Sequence, residues 1–345
     1  MEMPKTKALA LAAATLIVGL GAGAAVAQEV ITLKVSDWMP LTHYTVSEGG
    51  KVFMARAEEL SKGRLKFEHY PAEQLGKAKD QLTLVQTGVA DLANIAPAYI
   101  TEKFPLSGVL ELPGIYEGSC TGSYAYATMA RPGGVLHENE FKPNGVRVLF
   151  SGALGAYRVL TANRKVSKAE DFSGLKLRTA GGPMDRVATL LQANSIRLAG
   201  PDVLPSLTRG TLDGVFWPLQ SVKPWGLEKA LHHMTPNLGV GSFMIVYAIS
   251  DRAWKKLPAD LQEVLVQAGD HATRAHCEYV DANETRTARE LEAGGIAPTA
   301  LPEADVKKIQ AEYTKIYEDW AAALDKRGKP GHQVLEAFQK AVKRN

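Results

Sequence analysis

From Ala259 to about Leu291 the chain runs for 33 residues without proline and with one glycine, Gly269. Leu261, Val264, Leu265, Ala268, Ala272, Ala275 and Tyr279 recur along it at helical spacing and form one apolar stripe. At 1.5 Å per residue such a helix is about 50 Å long. That exceeds the span of one small domain, so the segment predicts a brace shared by two. The length of 345 residues agrees, because a single core rarely grows that large. Composition fits a globular chain, at 46% hydrophobic and 22% charged. The net charge of +3 lacks the basic excess of a nucleic-acid binder. Two cysteines exclude a disulfide scaffold and a four-cysteine zinc site.

Ahead of the brace, strand-like and helix-like segments alternate. Val30–Trp38, Arg64–Tyr70 and Ala90–Ile95 read as strands, with helices at Gly49–Ser61 and Lys77–Thr87 between them. A second run follows. It has strands at Val146–Phe150, Tyr157–Thr161, Leu175–Thr179, Ile196–Ala199 and Gly214–Trp217, and helices at Pro183–Leu191 and Val203–Arg209. Such alternation predicts parallel sheets covered by helices, in two α/β units. Val240–Ser250 is almost wholly apolar, as a strand buried on both faces would be. Helices at Ala304–Ala323 and Val334–Val342 close the chain.

Residues 1–27 read as a secretory signal peptide. Lys5 and Lys7 precede an apolar run from Ala8, and Ala25-Val26-Ala27 supplies the small-x-small cleavage pattern. The expectation is cleavage after Ala27 and a periplasmic location; the other reading is an uncleaved anchor, since the run is about 19 residues. In an oxidising compartment Cys120 and Cys277 are permitted to bridge. Sequence leaves a bridge and two separate buried thiols equally open.

Catalytic signatures are missing. The chain has no G-x-S-x-G elbow, Walker loop, H-E-x-x-H or dinucleotide fingerprint. His232-His233 makes a poor chelate, because neighbours in an extended segment point to opposite faces. No acidic cluster demands a metal, and no cofactor is implied. Gly181-Gly182-Pro183 precedes a helix, where either an anion or simple turn chemistry fits.

Two segments carry a stronger signal: Gly155-Ala156-Tyr157-Arg158-Val159-Leu160-Thr161, continuing to Gly174-Leu175-Lys176-Leu177-Arg178, and Gly210-Thr211-Leu212-Asp213-Gly214-Val215-Phe216-Trp217-Pro218. With Tyr70-Pro71-Ala72-Glu73-Gln74-Leu75-Gly76-Lys77 and Leu110-Glu111-Leu112-Pro113, they run in order through the chain. This set closely resembles the solute receptors of tripartite ATP-independent periplasmic (TRAP) transporters. The resemblance implies an α/β, two-domain periplasmic-binding-protein (Venus flytrap) fold with a long domain-spanning helix. Residues 28–153 plus about 243–275 would form domain I. Residues 154–242 plus about 276–345 would form domain II and the C-terminal helices. The implied function is capture of an organic acid between the domains and its delivery to an ion-driven membrane permease. A monomer is the default, with dimerisation through the C-terminal helices as the alternative.

The resemblance places the carboxylate-binding arginine at Arg178. A guanidinium suits that role, because it grips a carboxylate through two parallel bonds and stays charged when desolvated. Arg158 stands where some relatives carry a second arginine; otherwise it is an inter-strand surface residue. Where many members have Glu and then a polar residue, this chain has Phe216 and Trp217. A cleft-facing Trp217 would offer an apolar wall and favour an apolar or aromatic monocarboxylate; a core Trp217 would carry no such meaning. Trp38, His43 and Tyr99 fall at or just beyond strand carboxyl ends, where open α/β sheets bind ligands. Lys79 opens a helix nearby. Each of these four is a ligand contact or ordinary packing and surface. Phe243 and Tyr247 read as core. The rival functions are a receptor for an ATP-driven importer, a sensory receptor, and a periplasmic enzyme on the same scaffold.

Overall fold

The computed structural model describes residues 1–2 and 29–344; the predicted cleavage point lies outside them. The first run builds β1 (Ile31–Ser36), α1 (Lys51–Leu60), β2 (Leu65–Tyr70), α2 (Gln81–Thr87), β3 (Leu92–Ile95), α3 (Ser119–Ala130) and β4 (Val146–Ala153). Next come β5 (Tyr157–Thr161), β6 (Lys176–Thr179), α4 (Pro183–Leu190), β7 (Asn194–Arg197), α5 (Val203–Thr208), β8 (Gly214–Pro218) and β9 (His233–Thr235). The chain then forms β10 (Met244–Ser250), α6 (Asp251–Trp254), α7 (Ala259–Ala293), β11 (Ala297–Pro298), α8 (Glu303–Ala311), α9 (Tyr313–Asp325) and α10 (Gly331–Val342).

Two sheets result. The first has the order β2-β1-β3-β10-β4, the second β11-β9-β5-β8-β6-β7. Both are mixed, where the alternation had predicted parallel pairing. β1 runs parallel to β2 and β3, but β10 is antiparallel to β3 and β4. Likewise β6 runs parallel to β7 and β8, while β5 is antiparallel to β8 and β9. The reason is that β10 arrives from the second sheet instead of from a neighbouring crossover. It is fully buried between β3 and β4, as its apolar sequence requires.

The chain crosses between the sheets at Leu154–Ala156, again between Thr235 and Met244, and a third time along α7. Leu261, Leu265, Ala268, Ala272 and Val280 of α7 pack in the larger core, and Leu291 in the second. One helix thus serves both cores, as its length implied. Gly269 lets α7 approach β4 closely: a Cβ there would lie 2.0 Å from the Leu149 carbonyl oxygen. Gly88 closes α2 in the left-handed conformation at φ 84°, its N–H donating to the Leu84 carbonyl.

Three features differ from the sequence expectation. α3 has no amphipathic stripe because it is buried around most of its surface between β4, α7 and α10, so periodicity gave no sign of it. The predicted helix Ala304–Ala323 is two helices, broken at Glu312. And α10 packs on α3, so the last helix rests on the half that carries the first sheet.

The open question about the cysteines is settled by the structure, in which Cys120 of α3 and Cys277 of α7 form a disulfide across 157 residues. Beside it, the Asp281 carboxylate accepts from the backbone N–H of Cys120 at 3.0 Å, at the start of α3. Replacing both cysteines by serine should lower unfolding free energy by about 2–5 kcal/mol, read by urea denaturation. Gly269→Ala should cost about 1–3 kcal/mol in the same assay, because the added methyl meets rigid backbone.

Candidate functional site

The carboxyl ends of β1, β3, β6 and β8 face one another across the seam between the sheets. Trp38 follows β1, Tyr99 lies beyond β3, Arg178 is in β6 and Trp217 is in β8. These are the ends at which parallel strands leave backbone groups and side chains free for a ligand.

Arg178 is fully buried at 0% exposure. Its Nε donates to the Leu198 carbonyl at 2.9 Å, Nη1 to the Phe216 carbonyl at 3.4 Å and Nη2 to Tyr99 Oη at 3.2 Å. Its Cζ lies 4.6 Å from the centroid of the Trp217 ring, a cation–π contact. Every one of these partners is neutral. Among the described residues no carboxylate comes within ion-pair distance of it. Glu111 is within electrostatic reach, but burial pushes its carboxyl well above the usual range, with Asp185 adding to the rise and Arg178 opposing it. Burial thus disfavours the charged form of Glu111, and Glu111 makes no ion pair with the guanidinium.

Aromatic rings enclose this charge. Trp38 meets Tyr99 edge-on at 5.3 Å and stacks on Trp225 at 5.9 Å. Trp217 meets Trp225 edge-on at 6.4 Å. Phe243 backs the group, 5.2 Å from Tyr99 and 6.2 Å from Tyr157. Tyr99 Oη also accepts from the Gly200 N–H at 2.9 Å.

A neutral polar chain closes the other side. Thr45 N–H donates to His43 Nδ1 at 3.2 Å, which leaves the proton of the neutral ring on Nε2. That Nε2 faces Ser221 Oγ at 2.9 Å, and Ser221 in turn donates to Tyr44 Oη at 3.3 Å. His43 and Tyr44 come from the first half and Ser221 from the second, so the chain bridges the seam. Burial lowers the pKa of both His43 and His276 to about 3, with His276 adding to the effect on His43.

Of the residues singled out from sequence, Arg178, Trp217, Trp38, His43 and Tyr99 come together here. Phe216 contributes its carbonyl, while its side chain is core at 0% exposure. Lys79 is exposed and only lines the rim, a cleft of about 200 Å³ shared with Tyr99, Gly181 and Arg197. Arg158 is not brought to Arg178. It pairs with Glu284 of α7 at 3.4 Å and lines a separate cavity of about 360 Å³ with Tyr116, Asn237 and Ser242. Gly182 faces the Glu111 carboxyl, which lies 3.1 Å from where its Cβ would be, so the chain's own side chain fills the turn before α4. Trp225, Ser221, Tyr44 and Tyr157 were missed. The strand-end rule applied to β8 points at Ser221 and Trp225, and Tyr44 is the neighbour of His43.

With this geometry in hand, the chain can be set beside known proteins. Residues 39–323 match the family model described as bacterial extracellular solute-binding protein, family 7. The chain belongs to this family. The family 7 receptor is 25% identical over 286 residues to a solute-binding protein of Albidiferax ferrireducens, covering 81% of this chain and 83% of that one. Its fold superposes on a TRAP solute-binding protein from Rhodoferax ferrireducens with copurified benzoate at TM-score 0.82. The two are 22% identical, with 91% and 98% of the chains covered. A second solved relative, from Bordetella bronchiseptica with bound (R)- and (S)-mandelate, gives TM-score 0.80 at 24% identity, covering 91% and 99%. The family 7 receptor is accordingly a binding protein of the extracytoplasmic space and not an enzyme.

The buried histidines give a pH test. The folded receptor refuses a proton that the unfolded chain accepts below about 6.5, so stability is full above that pH and falls as pH drops toward about 3. Between pH 7 and pH 5 the receptor should lose about 2 kcal/mol relative to His276→Asn, measured by urea denaturation at each pH.

Proposed function

We propose that the receptor binds an aromatic or apolar monocarboxylate at the seam between its sheets and delivers it to a TRAP permease. Arg178 carries this reading: it is a fully buried guanidinium with neutral partners only. A buried charge left unpaired costs several kcal/mol, and a ligand carboxylate supplies the missing countercharge through two parallel hydrogen bonds. Trp38, Trp217, Trp225 and Tyr99 present ring surface beside it, which suits a flat apolar body. His43 and Ser221 are neutral, so a second carboxylate would find no cation there. The solved relatives with benzoate and mandelate bind acids of this kind.

The half built on the first sheet, which α10 joins, and the half built on the second close on the ligand by bending at Leu154–Ala156 and at the second crossing. The Tyr99–Arg178, His43–Ser221 and Trp38–Trp225 contacts form on closure. Excluding water strengthens the ion pair, and the ligand shifts the equilibrium by its preference for the closed form. The permease reads that closed shape. Mature receptor begins at Gln28.

Arg178→Ala should weaken binding of benzoate by about 100-fold or more in calorimetry, in line with 2–5 kcal/mol for truncating a buried charge pair. Arg178→Lys should recover little of it, because an ammonium lacks the planar fork. Wild-type affinity in both variants, with the fold intact by circular dichroism, would remove Arg178 from the site.

A further inference from the structure

We infer that the ligand carries at least one hydrogen-bond-accepting oxygen besides its carboxylate, held by the indole N–H groups of Trp38 and Trp217. This deepens the aromatic-monocarboxylate reading and rests on it. The two indoles are 3% exposed each, and neither Nε1 has a hydrogen-bond partner. Buried indole N–H groups ordinarily find an acceptor, and leaving one unmet costs about 1–3 kcal/mol.

Both rings are fixed where the ligand would lie. Trp38 puts the Cζ3 edge of its benzo ring against Gly200, within 3.2 Å of a Cβ built there. Its Nε1 is on the opposite edge of the indole and turns away from that wall. Trp217 lies under the Arg178 guanidinium, with Cζ 4.6 Å from its ring centroid. The ring therefore lies against the guanidinium that a ligand carboxylate would engage. The rings come from opposite halves and both touch Trp225.

None of the acceptors close by is bonded to either indole, Glu111 Oε2 and Gln220 Oε1 being themselves unpartnered. The Leu198 and Phe216 carbonyls and Tyr99 Oη serve Arg178, and Ser221 Oγ serves His43. Two indole N–H groups thus remain as unpartnered donors beside the charge of Arg178. An unsubstituted aromatic carboxylate has two oxygens, and the guanidinium fork uses both. A hydroxyl or oxo oxygen on the ring, or on the carbon beside the carboxyl, answers the indoles. The ligand class is then hydroxy- or oxo-substituted aromatic monocarboxylates.

The test uses the whole receptor and two matched pairs of acids: benzoate with 3-hydroxybenzoate, and phenylacetate with mandelate. By calorimetry the oxygenated member of at least one pair should bind about 5–10-fold tighter, the worth of one net hydrogen bond. Trp38→Phe or Trp217→Phe should shrink that ratio to within about twofold, whatever the change in affinity for the plain acid. On the unmutated receptor, labelled with ¹⁵N, indole Nε1–H signals should move downfield with the oxygenated acid and not with its plain partner. This readout holds even if a variant fails to fold. Equal affinities within both pairs would overturn the inference and leave the aromatic reading standing. Equal losses for both members in the variants would also overturn it, by assigning the indoles to the carboxylate or to packing. Failure of all four acids to bind would overturn the aromatic reading itself.

Discussion

A guanidinium taken out of bulk water with no carboxylate paired to it is costly to bury, and this fold buries Arg178 completely. The neighbouring atoms explain how it is tolerated. Two carbonyls and a phenol orient the guanidinium, and the Trp217 face takes part of its charge. None of them neutralises it. Glu111, an acid in electrostatic reach, makes no ion pair with it, and burial raises its pKa. An intramolecular salt bridge would stabilise the empty receptor and compete with the ligand. Withholding it makes the arriving carboxylate the partner the site lacks.

The rest of the seam follows from the same principle. His43 holds its proton on Nε2 because Thr45 N–H occupies Nδ1, and burial keeps the ring neutral. It can therefore reach Ser221 across the seam without adding charge. Apart from the Arg178–Tyr99 hydrogen bond, the contacts named across the seam are neutral hydrogen bonds and ring stacking. Arg158, the other arginine of interest, pairs with Glu284.

Much of this was legible in the sequence, and for identifiable reasons. α7 is amphipathic, uninterrupted and long, and β10 is apolar throughout, so both announced themselves. Trp38 and Tyr99 sit beyond strand carboxyl ends, a place that pattern alone can find, while Arg178 was marked by the resemblance. α3 escaped because burial on most of its surface erases periodicity. The direction of β10 and β5 escaped because strand pairing depends on how the chain returns between the sheets, which no local signal records. In sequence Arg178 was marked by the resemblance, while Arg158 was left between a second ligand arginine and a surface residue. Their separation depends on Glu284, which approaches from a helix more than 100 residues further along. Trp225 lay in a loop with no regular pattern to mark it.

The Cys120–Cys277 bond has a mechanical meaning. The residues between these cysteines include β4 through β10, and hence every strand of the second sheet except β11. A pull applied at the two ends of the chain passes from Cys120 to Cys277 through the sulfurs. The backbone between them is a slack loop, so its strands meet that load only through neighbours outside the loop, such as β11 on β9. Only β11 and the helices after Cys277 can be peeled from the second sheet by such a force. In the oxidised receptor the half that carries Arg178 is thus shielded from direct tension on either terminus, and stretching the reduced chain would release 157 residues more than stretching the oxidised one.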